Sequence, residues 1–252
     1  MVNFVGAGPG AVDLITVRGK ELLENADIII YAGSLVNPVL LDYAKESCEI
    51  YNSATMTLEE VTDVMIEGER EGKAVVRLHT GDPAIYGAIR EQMDILDTEN
   101  IEYEVCPGVS SLFGTAAALK AEYTLPDVSQ SVIVTRMAGR TPVPDRESIA
   151  SFAAHHATMV IFLSTGMLEK LSEELIKGGY EPETPAAIVY KATWDDEKVV
   201  RTTVKDLAES AAKNNITKTA LITVGGFLSS AYDRSKLYDP TFTHEFRQGK
   251  EI

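Results

Sequence analysis

Val2-Asn3-Phe4-Val5-Gly6-Ala7-Gly8-Pro9-Gly10 decides the reading of this chain: an apolar run of strand length passes directly into a turn with glycine at every second position. Such a junction places a loop at the carboxyl end of a strand. Outward from it, strand-like runs at 27–31, 47–50, 74–79 and 101–105 alternate with segments of helical spacing at 58–69 and 84–96, then a small-residue helix at 110–121. This alternation predicts a parallel sheet wrapped by helices. The aperiodic stretch 123–130, carrying Pro126, marks a boundary between an N-terminal domain, 1–122, and a C-terminal domain, 123–252. Beyond it, strands are expected at 131–135, 158–163, 186–190, 199–204 and 219–224, and helices near 146–155, 167–178 and 205–214. The link 191–198 is too short for a helical crossover, so some antiparallel pairing is expected there. The fold class is therefore α/β in two domains, the first sheet mostly parallel and the second mixed. From Tyr232 onward the tail reads as polar and irregular.

With 252 residues, 45% hydrophobic and 24% charged, the chain has the composition of a folded globular protein. Its formal charge of −15 repels phosphate backbones and anionic lipid heads, so neither nucleic acid nor a membrane is an expected partner. No apolar run approaches the roughly 18 residues that cross a bilayer. The first ten residues lack a basic leader, and the chain reads as cytoplasmic. Two cysteines, Cys48 and Cys106, and four histidines supply neither a disulfide framework nor a thiolate zinc site. His155 and His156 are neighbours, which on a helix sends them about 100° apart, so no metal is expected.

Gly6-x-Gly8-x-x-Ala11 fits the loose dinucleotide fingerprint, in which glycines allow close approach to a pyrophosphate at a helix amino end. The acidic ribose anchor is missing, however: the second strand opens with Asp27 and closes on Tyr31-Ala32-Gly33. Pro9-Gly10 is also a poor helix opening, and the first helical run begins near Val17. A tight structural turn remains an open reading. Gly81-Asp82-Pro83 follows the strand ending at His79, and a local account has Asp82 as N-cap and Pro83 at the first helical position. That account calls neither for Gly81 nor for Pro107-Gly108-Val109-Ser110-Ser111, which again follows a strand. In an open parallel sheet the three turns converge on one edge, where such folds bind ligands. Other templates fit badly. Ser110 lacks a nucleophile elbow, since Leu112 stands where the second glycine belongs, and no phosphate-binding Gly-x-x-x-x-Gly-Lys loop occurs. Cys106 and His79 read first as core residues.

The combination of Gly6-Ala7-Gly8-Pro9-Gly10 with Asp13-Leu14-Ile15-Thr16, Gly81-Asp82-Pro83 with Tyr86-Gly87, and Pro107-Gly108-Val109-Ser110-Ser111 resembles the tetrapyrrole (corrin/porphyrin) methylase family over nearly the whole chain. The resemblance implies a homodimer of two-domain subunits that binds S-adenosylmethionine in a folded form, releases S-adenosylhomocysteine and methylates a tetrapyrrole. Within the family, Tyr31-Ala32-Gly33-Ser34-Leu35-Val36 and Thr135-Arg136-Met137-Ala138-Gly139-Arg140-Thr141-Pro142-Val143-Pro144 are similar to the cobalamin branch acting at C11 of precorrin-4 or its cobalt form. Uroporphyrinogen-III methylases usually carry Tyr-Asp where this chain has Tyr31-Ala32. Carried over residue by residue, the resemblance assigns the cofactor to Pro9, Gly81, Asp82, Ile85, Tyr86, Ser110 and Ser111, and in the second half to Phe162, Leu163, Ala187, Tyr190, Thr219 and Ala220. Asp82, Tyr86 and His79 are candidates for a catalytic part by location.

Methyl transfer from a sulfonium to an electron-rich carbon is an in-line displacement, for which positioning is worth up to about 7–11 kcal/mol. A corrin precursor bears many carboxylates, so local basic groups must offset the charge of this chain. Arg136 and Arg140 lie in a loop after the first strand of the second half and have the planar fork that suits carboxylates. Tyr31 and Ser34 are further substrate candidates; Arg18, Arg90 and Lys191 are secondary ones. Rival readings are an NAD(P)-dependent oxidoreductase, a nucleotide-sensing module without catalysis, and a methylase of another ring position.

Overall fold

The computed structural model describes residues 1–229 and 232–250, the side chain of Ser34 excepted. The chain forms two compact units, Met1–Gly114 with Lys191–Asp196, and Thr115–Tyr190 with Glu197–Ile252.

In the first unit, β1 (Val2–Gly6), β2 (Ile28–Tyr31), β3 (Glu49–Asn52), β4 (Val75–His79) and β5 (Tyr103–Cys106) form one sheet in the order β3-β2-β4-β1-β5. Every pairing in it is parallel, as the alternation of elements predicts. Both faces are covered at the inner strands β1, β2 and β4, which are buried almost throughout and rich in apolar residues, while the edge strands β3 and β5 are partly exposed. Val2, Phe4, Ile28, Ile30 and Val75 pack with Val61 and Met65 of α2 (Leu58–Arg70) and Leu96 of α3 (Ile89–Thr98). Their neighbours Val5, Ile29, Val76 and Leu78 point the other way, onto Leu23 of α1 (Val17–Asn25) and Leu40. The starts of α1 and α2 carry caps: the Gly19 amide donates to Thr16 Oγ1 at 3.0 Å, and Thr57 with Glu60 forms a capping box.

The chain leaves β1 for α1 on one face and leaves β4 for α3 on the other, although β1 and β4 are neighbours. This is the topological switch point of the sheet, the place where ligands settle in such folds. Here the point is floored by main chain. The amide of Gly8 donates to the Gly81 carbonyl at 3.2 Å and that of Gly81 to the Gly8 carbonyl at 2.9 Å. Gly8 and Gly81 both hold positive φ, 80° and 63°. The turn after β5 closes over the same place. A methyl on Gly6 would lie 2.5 Å from the Gly108 Cα and 2.6 Å from the Gly81 oxygen, and one on Gly108 would overlap the Gly81 carbonyl.

The expected helix at 84–96 begins only at Ile89. Asp82 accepts from the Ala84 amide at 2.8 Å as a helix cap would, but Tyr86 (φ 57°) and Ala88 (φ 50°) then turn left-handed and postpone the helix. Asp82 and Pro83 therefore open an irregular turn, not α3.

In the second unit, β6 (Val132–Arg136), β7 (Thr158–Phe162), β8 (Pro185–Tyr190), β9 (Lys198–Thr203) and β10 (Ala220–Val224) lie in the order β6-β7-β10-β8-β9. Only β6 and β7 pair in parallel; the other pairings are antiparallel, β8 with β9 included, so the sheet is mixed. Met159, Ile161, Ile188, Ile222 and Val224 pack against Leu171 and Leu175 of α6 (Leu168–Lys177) and Leu207 of α7 (Leu207–Lys213). The helix expected at 146–155 is shorter, α5 (Ile149–Ala153), because Ser148 stops a preceding 3-10 turn and caps the α-helix through the Ser151 amide.

Arg77 and His79 are ionisable side chains set into the first core. Arg77, 6% exposed, donates to Gln92 Oε1 and to the Ile30 carbonyl, each at 3.1 Å; burial lowers its pKa to about 10. His79, 3% exposed, has no hydrogen-bond partner for Nε2 among the described residues, and burial, helped by the Arg77 charge, pushes its pKa down to about 3. Between that value and the ordinary 6.5 the unfolded chain binds the extra proton, so His79 stabilises the fold above pH 6.5 and this contribution is lost as pH falls toward 3. In urea titrations, His79→Gln is expected to show a flatter dependence of stability on pH than the parent below pH 6.5; parallel curves would mean that the imidazole is not buried neutral. Gly108→Ala is expected to cost about 1–3 kcal/mol by forcing main chain apart. Gly166→Ala, whose methyl would meet nothing within 4 Å, is the control and stays near neutral. Equal midpoints for these two variants would refute the packing account.

Candidate active site

At the first unit's sheet edge the side chain of Asp82 ties two turns together. Oδ1 accepts from the Ala84 amide at 2.8 Å and Oδ2 from the Gly108 amide at 2.9 Å, which fixes the loop after β4 to the loop after β5. A carboxylate has about four acceptor positions, so Asp82 retains capacity for a cationic ligand beside these two amides. Ser110 is buried, and its Oγ accepts from the Leu112 amide at 3.2 Å at the start of α4 (Ser111–Leu119), which Ser111 opens. Half-buried Ile85 donates its amide to the Asp82 carbonyl at 3.3 Å, while Tyr86, in its left-handed conformation, is 45% exposed. Pro9 is buried, and its carbonyl is occupied by a side chain, the indole of Trp194, at 3.0 Å.

The structure thus brings Pro9, Gly81, Asp82, Ile85, Tyr86, Ser110 and Ser111 together on three adjoining strand-end turns. Tyr31 ends β2 on the same edge, and its carbonyl accepts from Ser53 Oγ at 3.1 Å; the side chain of Ser34 lies outside the described residues. His79 faces inward, stacked 6.2 Å from the Phe4 ring, and its lowered basicity makes it a poor proton acceptor near neutrality.

In the second unit, Arg136 and Phe162 are register partners at the ends of β6 and β7, and Tyr190 at the end of β8 is opposite Ala220 at the start of β10. With Leu163 and Thr219 they occupy one edge of that sheet. Ala187 lies three residues back from this edge, fully buried and paired with Thr223. Leu163 combines positive φ (52°) with 65% exposure, and Thr219 also has positive φ (57°). Strain of this kind costs about 1–3 kcal/mol and gathers where ligands bind. Elsewhere Asn100, Lys120, His156 and Asn215 are left-handed for an ordinary reason, since each follows the end of a helix. Arg136 turns its guanidinium back on its own loop, donating to the carbonyls of Met137 and Thr141 at 3.2 Å and of Pro142 at 2.8 Å. Arg140 sits on the loop so shaped, exposed, with no hydrogen bond or ion pair found for it among the described residues. Of the secondary basic candidates, Arg90 pairs with Asp94 and Lys191 with Asp196.

Sequence reasoning passed over Asn37, Thr193 and Trp194, all of which bond main chain of the first turn. A signal was present: the sole tryptophan lies in a strand connection longer than a tight turn needs.

The dinucleotide reading fails on this geometry. The glycine turn leads into a 3-10 turn, Val12–Leu14, and α1 starts only at Val17, so the turn does not run directly into a helix amino end as the dinucleotide fingerprint requires. Comparison with known proteins gives the positive answer. Residues 1–208 match the profile of the tetrapyrrole (corrin/porphyrin) methylases. A cobalt-precorrin-4 C(11)-methyltransferase of Methanocaldococcus jannaschii is 58% identical over 98% of this chain and 96% of its own. Among solved structures, the X-ray structure of a cobalt precorrin-4 methyltransferase superposes with a TM-score of 0.89 at 50% identity, covering 90% of this chain and 95% of that one. A uroporphyrin-III C-methyl transferase from Thermus thermophilus, complexed with S-adenosyl homocysteine, follows at a TM-score of 0.77 and 27% identity, over 90% of this chain and 98% of that one. With its glycine turns locked at the switch point of a parallel sheet and this likeness running along almost its whole length, the chain belongs to the tetrapyrrole (corrin/porphyrin) methylases.

Proposed function

We propose that the protein transfers a methyl group from S-adenosylmethionine to C11 of precorrin-4 or cobalt-precorrin-4 in cobalamin biosynthesis. The observation that carries this reading is the end-to-end match to a C11-methyltransferase, at an identity well above that to the uroporphyrin-III enzyme. It is also the reading under which Ala32, following Tyr31, and the Arg136–Arg140 loop find a common reason.

S-adenosylmethionine, when bound, supplies a methyl group on a sulfonium that an electron-rich ring carbon displaces without a covalent enzyme intermediate. The chain's part is to hold and orient. Asp82 is suited to the positive amino or sulfonium group, because its carboxylate is fixed by two amides and keeps unused acceptor positions. Ser110, Ser111, Pro9, Gly81, Ile85 and Tyr86 form the surrounding wall, supported by main chain that is bonded across turns and therefore does not reorganise during the reaction. Phe162, Leu163, Tyr190, Thr219 and Ala220, with Ala187 behind them, are the second unit's contribution to this reading. It includes a homodimer, as the family resemblance implies, acting in the cytoplasm, as the opening residues lead one to expect.

For the substrate carboxylates the geometry favours a division of labour. Arg136 gives three of its five N–H donors to carbonyls and so shapes the loop, whereas Arg140, exposed and without such bonds among the described residues, is the freer of the two to meet an anion.

In calorimetry S-adenosylhomocysteine is expected to bind and NAD to show no heat. Incubated with S-adenosylmethionine and cobalt-precorrin-4, the protein is expected to yield a product one methyl group heavier by mass spectrometry, with the new carbon at C11 by nuclear magnetic resonance. Binding of NAD alone, or a methyl group at another carbon, would overturn the reading. Arg140→Ala is expected to weaken tetrapyrrole binding about tenfold, the loss of one charge-assisted contact, and to leave the affinity for S-adenosylhomocysteine unchanged. Parallel losses in both affinities would remove Arg140 from the substrate side.

A further inference from the structure

The segment Lys191–Asp196 joins β8 to β9 in sequence, yet it belongs to the first unit. There its side chains take over the first glycine turn. Trp194 Nε1 donates to the Pro9 carbonyl at 3.0 Å, and the Ala11 amide donates to Thr193 Oγ1 at 3.0 Å. Asn37 Nδ2 completes the set by donating to the Gly10 carbonyl at 2.8 Å. Three successive residues of the turn are thus held by side chains, where a strand or helix would use its own backbone. The ring of Trp194 also lies so close to Gly10 that any β-carbon there would overlap it, so the tryptophan and the glycine require each other.

The segment is strained and braced. Lys191 and Thr193 both have positive φ, 45° and 71°, and a β-branched residue is a true outlier in that region. The Trp194 amide returns to the Lys191 carbonyl at 3.0 Å, and the Lys191 ammonium sits 5.2 Å from the Trp194 ring centroid while bonding Asp196 at 2.7 Å. Such strain persists only when surrounding contacts over-determine it, and here those contacts converge on the turn at the ligand edge of the sheet.

We propose that Trp194 is a positioning residue of the cofactor site: its indole N–H, donated to the Pro9 carbonyl, and its ring, seated against Gly10, set the Gly8-Pro9-Gly10 turn in the form that receives S-adenosylmethionine. This rests on the methyltransferase reading. It adds a residue that acts through the turn without touching the reacting atoms.

Because Trp194 is the only tryptophan in the chain, its emission reports on the segment without a label. Titrating S-adenosylhomocysteine into the full-length protein is expected to change that emission with the midpoint found by calorimetry. Trp194→Phe, which keeps a ring and removes the donor, is expected to raise the Kd for S-adenosylhomocysteine and the KM for S-adenosylmethionine about five- to tenfold, the weight of one hydrogen bond. The loss appears in KM and not in kcat, beside the fall in melting temperature that a carbonyl left without its donor brings. A purely structural tryptophan would lower the melting temperature and leave KM unchanged in the fraction that folds. Thr193→Val, which keeps the β-branch and removes the acceptor for the Ala11 amide, is expected to raise KM in the same sense by a smaller factor. If S-adenosylhomocysteine does not bind the parent protein at all, the methyltransferase reading itself fails. If it binds the parent and Trp194→Phe equally, the positioning role is overturned; should that variant not fold, a silent emission on binding to the parent overturns it instead.

Discussion

The first unit depends on main chain meeting main chain. Gly6, Gly81 and Gly108, from turns after three different strands, approach so closely that their Cα and carbonyl atoms occupy the space where side chains would stand. Two hydrogen bonds between Gly8 and Gly81 and the Asp82 carboxylate on the Gly108 amide hold this knot closed. The strand order makes the contact possible by seating β1 between β4 and β5, so that the three turns rise side by side. A knot of backbone has few internal degrees of freedom, and a site built on it reaches the geometry for methyl transfer without paying again for ordering.

This changes the meaning of the glycines. On sequence grounds a glycine-rich turn at a strand end allows a ligand to approach the backbone. In the fold, Gly6 and Gly108 serve each other first, and in the proposed reading the surface left to a ligand is made by neighbours such as Pro9, Asp82 and Ser110. Asp82 shows the same economy: a residue readable as a helix cap is a tie between two loops, and in the proposed reading the same carboxylate receives a cation.

Much of the architecture was legible because the two signals involved are strong ones. The junction at Gly6, the apolar runs at 27–31 and 74–79, and the short link before β9 predict a parallel first sheet and a mixed second one, and both are found. The start of α3 was not legible, since left-handed Tyr86 and Ala88 carry no sequence mark of that conformation. The family motifs led to the cluster on the first unit's edge, whereas nothing in the sequence around Arg136 reveals that three carbonyls of its own loop take part of its guanidinium. Trp194 escaped for a related reason. Its partner, Pro9, is 185 positions away, and only tertiary structure joins them.

The placement of Lys191–Asp196 also bears on how the polypeptide can be divided. A fragment ending at Gly114 contains every strand of the parallel sheet, yet it leaves behind the side chains that cover the Pro9 carbonyl and the Ala11 amide. Neither half can therefore be excised as one continuous piece with its own polar groups satisfied. Synthesis imposes the same order in time: as the ribosome extends the chain, the opening turn emerges first and waits for some 180 further residues before the tryptophan that completes it exists.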